Sequence, residues 1–141
     1  MDDCYNANPA SMRASLDVLA LATGRRVAVM GDMKELGENE EQLHFETGEY
    51  AARKGIDTIV CIGPLACQMY LGAKNLASGN TVLHYTGKKE FLHDLPSLFE
   101  AGDTVLVKAS NSMKFSEIVE ALTEFEANTK DEDRKRSQNN D

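Results

Sequence analysis

The sequence predicts an α/β fold, a mostly parallel sheet with helices on both faces, and three observations predict it. Four short runs rich in β-branched and apolar residues recur along the chain. Segments of helical length, with apolar residues at helical spacing, separate those runs. Gly, Asp, Asn or Pro punctuates the junctions. Strands nearly continuous in apolar residues suit a sheet covered on both sides, and strand–helix alternation at this spacing builds βαβ units. The expected architecture is Rossmann-like.

Taken in order, the first helix is expected over residues 9–22. Asn8 is a candidate N-cap, Pro9 occupies the first helical position, and Met12, Leu16 and Leu19 share a face. Arg26-Val-Ala-Val-Met-Gly31 reads as the first strand. A helix over about 40–54 carries Leu43, Tyr50 and Ala51 and stops at Gly55, a good C-cap residue. A strand over 57–63 follows, then a helix over 64–77 opened by Pro64 and carrying Leu65, Met69 and Leu76. After a strand over 80–85 comes a helix over 88–100 with Phe91, Leu92, Leu95 and Phe99, which Pro96 is expected to break in two. A strand over 103–108 and a helix over 112–125, with Met113, Ile118, Val119 and Leu122, complete the body. Residues 126–141, EANTKDEDRKRSQNND, hold no large apolar side chain and are expected to form a disordered polar tail behind a single domain of residues 1–125. The chain opens on a loop where such folds normally place a strand, so the first strand is read as missing and the sequence as starting inside a larger protein.

Composition narrows the function. The 141 residues carry 15 Lys+Arg against 23 Asp+Glu, a net charge of −8. That balance argues against nucleic-acid and anionic-membrane partners, which need a basic surface. No apolar run approaches the length of a membrane span, and no signal peptide is evident. Cys4, Cys61 and Cys67 are odd in number and too widely spaced for a zinc pattern, which suits reduced thiols in the cytoplasm. No G-x-x-x-x-G-K-[ST] or G-x-G-x-x-G loop is present, so the chain holds no recognisable phosphate cradle of its own.

In parallel sheets ligands bind beyond the carboxyl ends of the strands, and three loops expected there are unusually polar. The first, Asp2 to Pro9, brings Asp3, Tyr5, Asn6 and Asn8 to a helix N-terminus, where amides and hydroxyls can fix a ribose or a peptide. Asn8 is also explained by capping alone. The second, Gly31 to Gly37, holds Asp32, suited to a substrate ammonium, and Lys34, suited to an anion; a glycine-bounded turn of solvated charges is the plainer reading. The third follows a strand with Lys108, Ser110 and Asn111, a phosphate- or carboxylate-binding set or a snorkelling lysine before a helix cap. His44, His84 and His93 share no ligand spacing, and neither a metal site nor a catalytic residue is assigned.

The runs DDCYNANPASM (2–12), RVAVMGDMKELG (26–37) and VKASNSM (107–113) resemble the C-terminal domain of Mur ligases, most nearly of the MurF type. The resemblance spans residues 2–125. It implies a three-domain cytoplasmic enzyme of peptidoglycan precursor synthesis that joins D-alanyl-D-alanine to UDP-N-acetylmuramoyl-tripeptide with ATP and Mg²⁺. In such an enzyme the missing N-terminal and central domains bind the UDP-sugar peptide and most of the ATP, while this domain closes over ATP and the dipeptide. By position, Asp3 falls near the ATP ribose and Tyr5, Asn6 and Asn8 on the same ATP-facing loop. Asp32, Lys34, Lys108, Ser110 and Asn111 line the dipeptide cleft. Where the family commonly has Lys-Gly-Ser-Arg, this sequence has Ala109 for the glycine and Asn111 for the arginine, which removes a charge from the last loop. The resemblance implies that this chain alone does not ligate. A stand-alone, non-catalytic small-ligand module is the alternative, and folylpolyglutamate synthase fits the motifs poorly.

Overall fold

The computed structural model describes residues 7–139. Its elements are α1 (Pro9–Ala20), β1 (Arg26–Gly31), α2 (Glu40–Arg53), β2 (Thr58–Ile62), α3 (Ala66–Leu76), β3 (Thr81–Tyr85), α4 (Lys88–Leu98), β4 (Thr104–Lys108) and α5 (Ser116–Asn139). The four strands form one parallel sheet in the order β3-β2-β1-β4. Register pairs Met30 with Cys61 on one side and with Lys108 on the other. Helices cover both faces, so the Rossmann-like expectation holds.

Alternation along β1 divides the core in two. Ala28 and Met30 face a layer built with Met12 and Leu16 of α1, Ala51 of α2 and Met69 of α3. Val27 and Val29 face the other layer, with Phe91 and Leu95 of α4 and Ile118 of α5. Side chains on successive strand residues point to opposite faces, so one continuous apolar run serves two cores. On the first face α2 and α3 meet backbone to backbone. A Cβ added at Gly48 would overlap the Met69 carbonyl, and one at Gly72 the Phe45 carbonyl. Only glycine permits that approach.

Two expectations change. Pro96 does not break α4, which runs through it and ends two residues later. A proline so close to a helix end costs a single hydrogen bond near the terminus, not the interruption of a long ladder. Residues 126–139 are helix, not a structureless tail: α5 continues to Asn139, and the side chains of residues 126–138 are mostly exposed. The buried Ile118 anchors the docked half of α5, and the remainder contains neither Gly nor Pro and is rich in Glu, Lys and Arg. A nucleated helix of such residues propagates at little cost, here with a Lys130–Glu126 ion pair one turn apart at 3.2 Å.

Candidate functional site

The site lies at the carboxyl ends of β1 and β4, adjacent strands joined in register up to Met30 and Lys108. Asp32 emerges from β1 fully buried. Its Oδ1 accepts a 2.8 Å hydrogen bond from the N–H of Ala66, the first residue of α3. A carboxylate there meets an unpaired helix N–H and the positive end of the helix dipole. Its Oδ2 is buried with no hydrogen-bond partner, and Lys34 Nζ stands 3.6 Å away. Gly63, at φ +122°, lies against this carboxylate: a Cβ on it would come 2.7 Å from Cγ and 2.9 Å from Oδ2.

The loops after β1 and β4 are stitched together. Ser110 N–H donates to the Asp32 carbonyl at 3.1 Å, and Lys34 N–H donates to Ser110 Oγ at 2.8 Å. Lys108, 5% exposed, directs Nζ to Ser15 Oγ of α1 at 3.2 Å. Two buried charges of opposite sign therefore stand at one end of the sheet. Burial of a charge is costly unless it is paired and hydrogen-bonded, and Asp32 Oδ2 has only a partly exposed ammonium beyond ordinary hydrogen-bond distance. The arrangement can accept a hydrogen bond from an entering ammonium and attract an anion to Lys34.

Of the residues expected at this end, Asp32, Lys34 and Ser110 come together, while Lys108 directs its ammonium to Ser15 of α1. Asn111 is exposed at the start of a 3₁₀ turn, Asn111–Met113. Asn8 caps α1: Ser11 N–H donates to its Oδ1 at 2.9 Å, and Asn8 N–H donates to Ser11 Oγ. Asp3, Tyr5 and Asn6 lie outside the described residues. Among the described residues no group of three or more His, Cys, Asp or Glu could hold a metal ion, and no helix is long and apolar enough to cross a membrane. Sequence reasoning missed Ser15 and the role of His44, whose Nε2 receives the N–H of Met33 at 2.9 Å. Ser15 sits four residues after Ser11 and so extends one polar face of α1, the single signal that pointed to it.

A family model described as the Mur ligase, glutamate ligase domain matches residues 1–111. The chain is 37% identical over 126 residues to the UDP-N-acetylmuramoyl-tripeptide–D-alanyl-D-alanine ligase of Bacillus subtilis (strain 168), covering 88% of this chain and 28% of that protein. The ligase of the same name from Escherichia coli (strain K12) is 40% identical over 126 residues, 88% of this chain and 26% of that protein. Among solved structures, MurF from Acinetobacter baumannii aligns with a TM-score of 0.76 at 34% identity, covering 87% of this chain and 27% of that one. MurF ligase from Thermotoga maritima in complex with ADP aligns with a TM-score of 0.73 at 28% identity, covering 92% and 29%. The chain thus spans little more than a quarter of the length of these relatives. Its motifs, parallel sheet and these matches agree, and the chain belongs to the Mur ligase, glutamate ligase domain family.

Proposed function

We propose that this chain acts as the C-terminal domain of an ATP-dependent amide ligase that joins D-alanyl-D-alanine to UDP-N-acetylmuramoyl-tripeptide in cytoplasmic peptidoglycan precursor synthesis. The observation that carries the reading is the buried, unsatisfied Asp32 Oδ2 beside Lys34 at the carboxyl ends of β1 and β4. An incoming dipeptide offers an ammonium for that oxygen and a carboxylate for Lys34, so both ends of a zwitterion find a partner. Held there, the amine is fixed in position once it has lost its proton, which is the orienting contribution a domain can make to a two-substrate reaction.

ATP, when bound, supplies the phosphoryl group that activates the accepting carboxylate. The buried Lys108 ammonium suits an anionic group such as a phosphate, and Asp3, Tyr5, Asn6 and Asn8 form the loop proposed to face the nucleotide. Mg²⁺ is proposed to be held by the central domain of the parent enzyme, outside this chain. The N-terminal and central domains and the UDP-sugar peptide are the partners of this surface.

The test is a chimera in which this chain replaces the C-terminal domain of the Bacillus subtilis relative, assayed for ATP- and tripeptide-dependent addition of D-alanyl-D-alanine. Ligation by the chimera, with none by the chain alone, is the expected result. A folded chimera without activity, together with saturable binding of D-alanyl-D-alanine by the isolated chain, would replace this reading with a non-catalytic binding module.

A further inference from the structure

His44 is fully buried in the first half of α2, and both of its ring nitrogens are engaged. Nε2 lies 2.9 Å from the backbone N of Met33. Nδ1 lies 2.6 Å from the Glu40 carbonyl oxygen. A backbone N–H can only donate and a carbonyl can only accept. The partners therefore fix the ring: Nε2 bears the lone pair, Nδ1 bears the proton, and the imidazole is neutral.

The residue this ring holds is the middle of the candidate cleft. Met33 sits between Asp32, with its unsatisfied Oδ2, and Lys34, whose N–H reaches Ser110 Oγ. Met33 is itself buried, so without the imidazole its N–H would be an orphaned donor. The next residue but one, Glu35, has φ +61°, a conformation that a non-glycine residue keeps only when its surroundings impose it. Helix α2 thus reaches across eleven residues of sequence to hold the turn at its centre.

We infer that His44, as the neutral Nδ1–H imidazole, is the positioning residue that sets the Asp32–Lys34 turn for ligand. The inference rests on the reading that this turn receives the dipeptide. A second proton on Nε2 would face the Met33 N–H donor to donor, and the turn would have to release. The hydrogen-bond contacts of the ring are with the backbone of Met33 and of Glu40. Among the described residues no side chain hydrogen-bonds the imidazole, so the backbone contacts alone select its tautomer.

The test uses the full chain and two variants. Long-range proton–nitrogen NMR on the unsubstituted chain should show His44 protonated on Nδ1 alone at neutral pH; an imidazolium, or a proton on Nε2, overturns the inference. His44→Leu removes the acceptor and should displace the backbone amide signals from Gly31 to Gly37. It should also weaken binding of D-alanyl-D-alanine by about 10- to 100-fold, the cost of a misplaced binding group. His44→Gln, whose amide oxygen can occupy the place of Nε2, should restore most of that affinity and covers the case in which the leucine variant does not fold. Unchanged affinity in a folded His44→Leu chain, or a His44→Gln chain that binds no better than His44→Leu, overturns the inference. If the unsubstituted chain does not bind D-alanyl-D-alanine, the dipeptide reading has failed, and the tautomer and the turn amides still decide the role of His44.

Discussion

The two ends of the sheet handle charge in opposite ways. At the amino ends of the strands Arg25 and Arg26 are paired with carboxylates and with backbone carbonyls. Arg25 forms a two-pronged pair with Asp103, at 2.9 and 2.6 Å, and also donates to the Leu98 carbonyl. Arg26 donates to Asp57 and to the Ala20 and Gly55 carbonyls. At the carboxyl ends, Asp32 is buried with one oxygen lacking a hydrogen bond. The amino end closes loops and stabilises the fold. At the other end one buried carboxylate oxygen has no hydrogen bond, and this contrast is what favours the proposed site there.

The sharpest way to break the comparison is at Gly63. Gly63→Ala forces a Cβ into the Asp32 carboxylate from a backbone at φ +122°. Destabilisation of about 3 kcal/mol or more is expected from strain and overlap together, with loss of any ligand response; denaturant unfolding and titration check both. At the amino end, Asp103→Ala leaves Arg25 without its partner and also removes the acceptor for the Glu100 N–H. A loss of about 2–3 kcal/mol follows for a pair that is only partly exposed, with ligand affinity unchanged in the protein that remains folded.

Asp32→Asn separates the two ends most clearly. The amide oxygen can still accept from Ala66 N–H, and the uncompensated charge is gone. Stability should stay within about 1 kcal/mol of the unsubstituted chain, or rise, while binding of D-alanyl-D-alanine falls by about tenfold or more, as for loss of a charge-assisted hydrogen bond. A large loss of stability in this variant would show the carboxylate to be structural.

The smallest effect is on acid stability. The Asp57 carboxyl is held below the ordinary carboxylate range, first by the hydrogen bond from the Arg26 backbone N–H and then by the Arg26 side chain. A carboxyl depressed on folding contributes stability that is present above its unfolded value, about 3.9, and is lost as pH falls through the lower folded value. Asp57→Asn should therefore unfold at a midpoint less dependent on pH below about 4, which thermal melts across that range would show.

Much of this was legible before the structure, and for physical reasons. β1 and β2 are covered on both faces, so their apolar runs, such as Val27-Ala-Val-Met30, are continuous and easy to read. Asp32, Lys34, Lys108 and Ser110 were legible because parallel topology places everything that follows β1 and β4 at one end. Residues 126–139 misled because a polar composition describes both a disordered segment and a solvated helix; the docked half of α5 decides between them. The partnership of Lys108 with Ser15 spans 93 residues, and the histidine-to-backbone bond at Met33 has no local signature, since the Nδ1 contact one turn back resembles any helical side-chain contact. Contacts made by backbone groups across loops leave no pattern in residue types.

The order of the strands in the sheet also sets an order in time. β1 pairs with β2, which follows it closely, but its other neighbour, β4, is the last strand among the described residues, and the Arg25–Asp103 clasp at their shared end joins residues 78 apart. Closing so long a loop is slower than forming local pairs. Until β4 arrives, a central strand of the finished sheet is an unprotected edge, open to pairing with another nascent chain. Pulse-labelled hydrogen exchange should find the amides shared by β1 and β4 protected last. Because Lys108 and Ser110 travel with β4, the cleft is assembled in that same final step, and an emerging chain offers no half-built site to a ligand.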